Sequence, residues 1–180
     1  MTPGPANAAV PRAGLACAIV AVIVDQLSKW YMVERVFRPE GVTETPFASP
    51  VVIDVLPVFD LSLSWNQGIS FSLFSSEASR WPLVAVTAVI ILFLATWMWR
   101  TPRGWLQIGL GLIVGGALGN NMIDRVSIGA VADFLHFYWR DWHFPTFNIA
   151  DMCISVGATI VLLDALFERP HDGKDTARNT

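Results

Sequence analysis

Four long apolar stretches, Gly14 to about Val36, Trp81 to Trp99, Trp105 to Ile123 and Phe147 to Phe167, set the terms for everything else in this chain. Each has the roughly 20 mostly apolar residues that a helix needs to cross the hydrocarbon core of a bilayer. The second and third contain no charged residue between their ends. With only 180 residues, 53% of them hydrophobic and 15% charged, and a mean hydropathy of +0.49, an ordinary soluble domain is excluded and no room is left for a second one. The expected fold is therefore an all-α membrane protein of four transmembrane helices, a single integral membrane domain over 1–180.

Composition narrows the partners as well. The net charge of -3 and the lack of a basic stripe give nucleic acid no electrostatic reason to bind. Eight tryptophans suit headgroup depth, where an amphipathic ring is at home. Cys17 and Cys153 fall inside apolar runs, behave there as small hydrophobes, and have neither disulfide nor zinc spacing. Gly14-Leu15-Ala16-Cys17 opens the first apolar run instead of closing it, so the segment is expected to stay on as a helix.

Only Arg100-Thr101-Pro102-Arg103-Gly104 separates the second and third stretches, a tight hairpin with two cations that assigns this side to the cytoplasm. A plain count of Lys and Arg does not decide the orientation, so the assignment rests on that hairpin. Two longer segments, 37–80 and 124–146, then lie on the extracytoplasmic side. The first holds β-branched and alternating runs around Val51 to Val55 and Phe59 to Trp65, split by Pro57, and predicts a small β-sheet resting on the membrane. The second holds the aromatic run Phe134 to Trp142, read as an interfacial helix or turn. The polar tail from Pro170 onward is expected to be disordered.

This topology sends the unusual polar residues to one face, whichever way the protein is oriented. Asp25 and Lys29 lie late in the first helix; Asn66, Gly68 and Ser70 lie in the first long segment; Asn120, Asn121, Asp124 and Arg125 close the third helix; Asp133 follows; Asn148 and Asp151 open the fourth. Ionisable groups at membrane depth are costly and therefore point to function. Two carboxylates in a poorly hydrated pocket cannot both ionise cheaply, so one keeps its proton while the other stays charged, which suits activation of water and protonation of a leaving amine. Asp133 and Asp151 are the candidate catalytic pair. Asp124, with Arg125 beside it and asparagines three and four residues earlier, reads as a positioning group, and the Asp25 and Lys29 pair one turn apart reads as an internal brace. Asp151 three residues after Asn148 also resembles a capping arrangement.

Blander readings apply elsewhere. Gly115, Gly116 and Gly119 point to close helix packing and not to a nucleotide loop. His136 and His143 fit no metal-ligand spacing, Ser70 and Ser72 lack a neighbouring base, and neither metal nor cofactor is expected. An ion-relaying transporter subunit would spread its charges through the bilayer, whereas the second and third helices carry none inside.

Five motifs in order resemble those of the lipoprotein signal peptidases, the signal peptidase II family of bacterial membrane aspartic proteases. They are Asp25-Gln26-Leu27-Ser28-Lys29; Asn66-Gln67-Gly68-Ile69-Ser70-Phe71; Gly115 to Asn120 running into Asp124-Arg125; Val131-Ala132-Asp133-Phe134; and Phe147-Asn148-Ile149-Ala150-Asp151. The resemblance spans the first helix to the fourth. It implies cleavage of diacylglyceryl-modified prolipoproteins just before the lipidated cysteine, at the outer face of the inner membrane, by a protein that is expected to be a monomer in contact with membrane lipid. It also implies that Asp133 and Asp151 are catalytic, that Asn66, Asn148 and Arg125 hold substrate backbone or the dyad, and that Asp25 with Lys29 braces the site. One departure stands out: the family usually places a single asparagine three residues before the Asp-Arg pair, and this chain has Asn120 and Asn121 in succession, as if one residue were inserted.

Overall fold

A computed structural model of the chain describes residues 10–68 and 80–167. Ile69, Ser70, Phe71 and Ser72, and the tail from Pro170, lie outside the described residues. Helix α1 spans Arg12–Tyr31 and continues as a π-helical segment over Met32–Phe37. Helix α2 spans Arg80–Arg100. Helix α3 spans Gly104–Ala117, widens into a π turn over Leu118–Asp124 and closes with one α turn, Arg125–Ser127. Helix α4 spans Ile149–Phe167. All four, counted with their extensions, are long and apolar enough to cross a membrane.

Helix α3 is the hub. Its glycines let neighbouring backbones come close: a Cβ on Gly115 would meet the Ala18 carbonyl oxygen of α1 at 2.6 Å, and one on Gly116 would meet the Ala150 carbonyl oxygen of α4 at 2.5 Å. With no hydrophobic drive between helices in lipid, such backbone approach supplies the packing. Helix α2 keeps large side chains, Val86, Leu92 and Phe93 among them, turned outward.

The β-rich region sits at one end of this bundle. Strands β1 (Val52–Leu56), β2 (Phe59–Asn66), β3 (Val131–Trp139) and β4 (Trp142–His143) form one antiparallel sheet in the order β1-β2-β3-β4. The aromatic segment read from sequence as an interfacial helix or turn is thus mostly strand β3, joined to β4 by a tight turn with Arg140 at φ 54°. It pairs with β2 over most of its length, so the cross-strand partners override the interfacial-helix reading. A cluster of Met32, Val33, Phe37, Phe47, Ala132 and Phe134 seats the sheet on the end of α1. Trp65 meets Phe47 edge to face at 5.8 Å, and its Nε1 donates to the Phe47 carbonyl at 2.7 Å.

Candidate active site

Late in α1 and at the end of α3, burial forces charge to find charge. Lys29 is 5% exposed and Asp25 is fully buried. The three Nζ protons of Lys29 go to Asp25 Oδ2 at 2.7 Å, Asp124 Oδ2 at 2.6 Å and Asn120 Oδ1 at 2.6 Å. A lysine ammonium has three donors, so this one is saturated. Gln26 donates to Asp124 Oδ1 at 2.8 Å and to Asp25 Oδ2 at 3.1 Å, closing a ring of one cation and two anions. The brace read from sequence as the Asp25 and Lys29 pair is thus a larger cluster. Asp124 takes its partners from α1 and not from Arg125 or from the two asparagines preceding it. Gln26 is a member that sequence reasoning passed over, although an uncharged polar side chain between Asp25 and Lys29 in an apolar run was a usable signal. Gly119 makes room for the cluster, since a Cβ there would stand 2.5 Å from Asp25 Oδ2.

Asp25 also reaches α4, accepting from the backbone N–H of Ala150 at 3.0 Å. That donor is one of the first-turn groups of a helix that have no partner within it. Beside it, Asn148 and Asp151 satisfy one another: Asn148 Oδ1 accepts from Asp151 N–H and Asp151 Oδ2 accepts from Asn148 N–H, both at 3.1 Å. This reciprocal capping explains why α4 starts at Ile149. It also leaves the Asn148 amide free to reach Asp133, donating through Nδ2 to Asp133 Oδ1 at 2.7 Å. Asn148 therefore holds both candidate catalytic carboxylates, one by its backbone and one by its side chain.

Asn120 joins this group to the cluster around Lys29. Its Oδ1 accepts from Lys29 and from Asn148 Nδ2 at 3.1 Å, while its Nδ2 donates to Asp151 Oδ1 at 2.8 Å. Asn121 looks elsewhere, accepting from Arg125 Nε at 3.1 Å. The π turn accounts for the split. An i→i+5 turn holds one more residue than an α turn, so it takes up the inserted asparagine and still delivers Asp124 and Arg125 to the site.

Asp133 comes from β3, opposite Ser64 of β2. Asn66, two residues beyond Ser64, shares its face of the sheet and hydrogen-bonds to Asp133 as a diagonal neighbour. Asn66 Oδ1 also accepts from the N–H of Gly68 at 2.9 Å. Gly68 has φ +106°, and a Cβ there would meet Leu83 at 2.5 Å and Arg125 Nη1 at 2.8 Å, so glycine fits both the backbone and the space. Arg125 is 6% exposed and its Nη1 is buried without a hydrogen-bond partner among the described residues.

Burial first, and the negative charge of Asp151 second, push the Asp133 carboxyl up to about 6, against hydrogen bonds from Asn66 and Asn148 and the charge of Lys29, which pull it down. His136, by contrast, pairs with Asp60 at 2.8 Å and with His143 at 3.2 Å on β2, β3 and β4, as part of the sheet. The geometry brings Asp25, Lys29, Asn120, Asp124, Asp133, Asn148 and Asp151 into one connected network, with Asn66, Gly68, Asn121 and Arg125 at its margin.

Residues 17–167 match the family described as Signal peptidase (SPase) II. The lipoprotein signal peptidase of Symbiobacterium thermophilum is 40% identical over 150 residues, covering 81% of this chain and 89% of that protein. The lipoprotein signal peptidase of Acinetobacter baylyi is 38% identical over 161 residues, covering 85% and 81%. Among solved structures, a bacterial membrane enzyme is similar at 25% identity with a TM-score of 0.71, over 88% of this chain and 95% of that one.

Proposed function

The chain belongs to the signal peptidase II family, proteases that remove the signal peptides of prolipoproteins, and on that premise we propose that Asp133 and Asp151 are its catalytic dyad. The observation that carries the assignment is the placement of both carboxylates on Asn148, with neither paired directly with a cation. In this reading Asp133 holds the proton. Asp151 carries the charge, since both of its oxygens accept hydrogen bonds and it lies in the first turn of α4, where the helix dipole favours an anion.

A water between the two would give a proton to Asp151 as its oxygen attacks the scissile carbonyl, while Asp133 donates to that carbonyl's oxygen. Collapse of the tetrahedral adduct breaks the C–N bond as Asp151 passes the proton taken from water to the leaving amine and Asp133 takes back a proton from the adduct's hydroxyl. Arg125 Nη1 supplies a buried donor for a substrate carbonyl, and Asn66 orients Asp133.

The substrates of this reading are diacylglyceryl-modified prolipoproteins, cut before the lipidated cysteine. The sheet and the dyad face the outside of the inner membrane, in keeping with the cationic hairpin Arg100 to Gly104 at the other end of α2 and α3. Mass spectrometry of a diacylated precursor incubated with wild type, Asp133→Asn and Asp151→Asn protein tests the assignment: cleavage is expected from wild type alone, and a fully active Asn variant refutes it.

A further inference from the structure

Lys29 is saturated with acceptors, but two other cations at the same end of the molecule are not. Arg80 opens α2 and Arg125 lies in the turn that closes α3, and each keeps one enclosed guanidinium nitrogen, Arg80 Nε and Arg125 Nη1, without a hydrogen-bond partner among the described residues. Neither makes an ion pair among those residues. Each head lies instead against a glycine of positive φ: a Cβ on Gly68 would stand 2.8 Å from Arg125 Nη1, and one on Gly129 would stand 2.9 Å from Arg80 Nη1. The Trp81 ring faces the Arg80 guanidinium at 5.2 Å, which orients the charge without neutralising it.

The two arginines share one corner of the candidate site. Leu83, one turn along α2 from Arg80, would also stand 2.5 Å from a Cβ on Gly68, and Gly129 donates its N–H to the carbonyl of Asp124, the neighbour of Arg125, at 3.2 Å. Asn66 links this corner to the dyad, since it bonds Asp133 and accepts from the N–H of Gly68. An enclosed guanidinium N–H without an acceptor is unfavourable, and two of them in one corner call for a ligand that brings negative charge. The scissile peptide group is neutral. Its hydrolysis makes an anion: the water oxygen stays on the carbonyl carbon, the C–N bond breaks, and the signal peptide is left with a terminal carboxyl group that gives its proton to solvent.

We propose that Arg80, together with Arg125, receives the new C-terminal carboxylate of the released signal peptide. The inference rests on the prolipoprotein reading and adds Arg80 to it as a product-binding residue. Planar guanidinium donors match the two oxygens of a carboxylate, and Arg80 is half-buried, so one side of its head is open to an arriving chain end. Without the two arginines that anion would be left beside Asp151, which carries its own charge in the proposed mechanism.

A synthetic signal peptide ending at the residue before the cysteine has no scissile bond, so its binding to wild-type protein in detergent micelles is read without turnover. With a free C-terminal carboxylate it is expected to bind about tenfold more tightly at neutral pH than the same peptide ending in a carboxamide, a preference that a charge-assisted hydrogen bond supports. Arg80→Gln should bring the two forms to parity by weakening the acid alone. Arg80→Lys, which keeps the charge and loses the fork, should retain part of the preference. Equal binding of acid and amide by wild type would overturn the proposal, as would an Arg80→Gln variant that weakens both forms alike or keeps the full preference for the acid. Competition by anionic phospholipid as strong as by the peptide itself would overturn it in favour of a lipid headgroup. Should Arg80→Gln not fold, Arg80→Lys decides, and an acid-to-amide ratio equal to wild type counts against the role. An active Asp133→Asn enzyme would sink the dyad assignment, while the acid preference, read without turnover, still judges Arg80.

Discussion

Two groups of carboxylates sit side by side in this protein and are treated in opposite ways. Asp25 and Asp124 share a saturated lysine, with a glutamine and a backbone amide beside it, so each has an ionic partner within the fold. Asp133 and Asp151 receive only neutral donors from Asn66, Asn120 and Asn148. The difference is the one the proposed dyad requires: ionic partners fix a charge state, whereas amides orient a carboxyl and leave its proton free to move.

The sharpest way to break this contrast is to neutralise one acid of the second group. Asp133→Asn should lower kcat for precursor cleavage by about 10³-fold or more, while thermal unfolding in detergent at acid pH, where Asp133 is protonated, stays close to wild type. A large loss of stability instead would place Asp133 with the structural acids. Lys29→Met should do the reverse in kind: it strands two buried anions, and breaking a buried pair by removing one partner typically costs about 3–5 kcal/mol. That variant should unfold well below wild type, and an unfolding midpoint equal to wild type would dissolve the distinction.

The pH dependence sharpens it further. Asp133 has a folded value of about 6, above the ordinary 3.8. Its contribution to stability is therefore fully present below about 3.8 and is lost as pH rises through about 6, by an amount on the order of 3 kcal/mol. Asp133→Asn should flatten that fall, a difference that unfolding midpoints across this window can read. In the free enzyme the same ionisation gives kcat/KM an alkaline limb near 6, because both dyad members then carry charge. A rate flat from acid to alkaline pH argues against paired carboxylates.

The smallest effect separates two neighbours. Asn120→Ala removes a residue that bonds Lys29, Asn148 and Asp151 and should cost about 1–3 kcal/mol as well as activity, because it leaves buried partners unpaired. Asn121→Ala removes one contact to Arg125 Nε and should change stability by less, with KM affected more than kcat. Equal effects at both positions would mean that the π turn does not sort the two asparagines as described.

Much of this arrangement was legible in the sequence. Four apolar lengths and the rule that alternate ends share a face were enough to bring Asp25, Lys29, Asn120, Asp124, Asp133 and Asp151 to one end. Three things were not. Hydropathy does not tell α2 from α3, since neither carries a charge inside; the glycines of α3 mark the buried hub, and they were read as packing residues without their partners. The run from Phe134 to Trp142 is too aromatic for its period to declare itself, and only pairing with β2 makes it a strand. The doubled asparagine was visible as an insertion, but a linear sequence does not say whether a helix shifts its register or widens by one residue to absorb it.

Asn148 caps the last helix and, with the same atoms' neighbours, yokes the two acids together. Asp133 precedes α4 in the chain, so during synthesis it emerges before Asn148 and Asp151 are there to meet it. Under the proposed dyad, a chain cut short before α4 is expected to leave Asp133 without the amide that orients it.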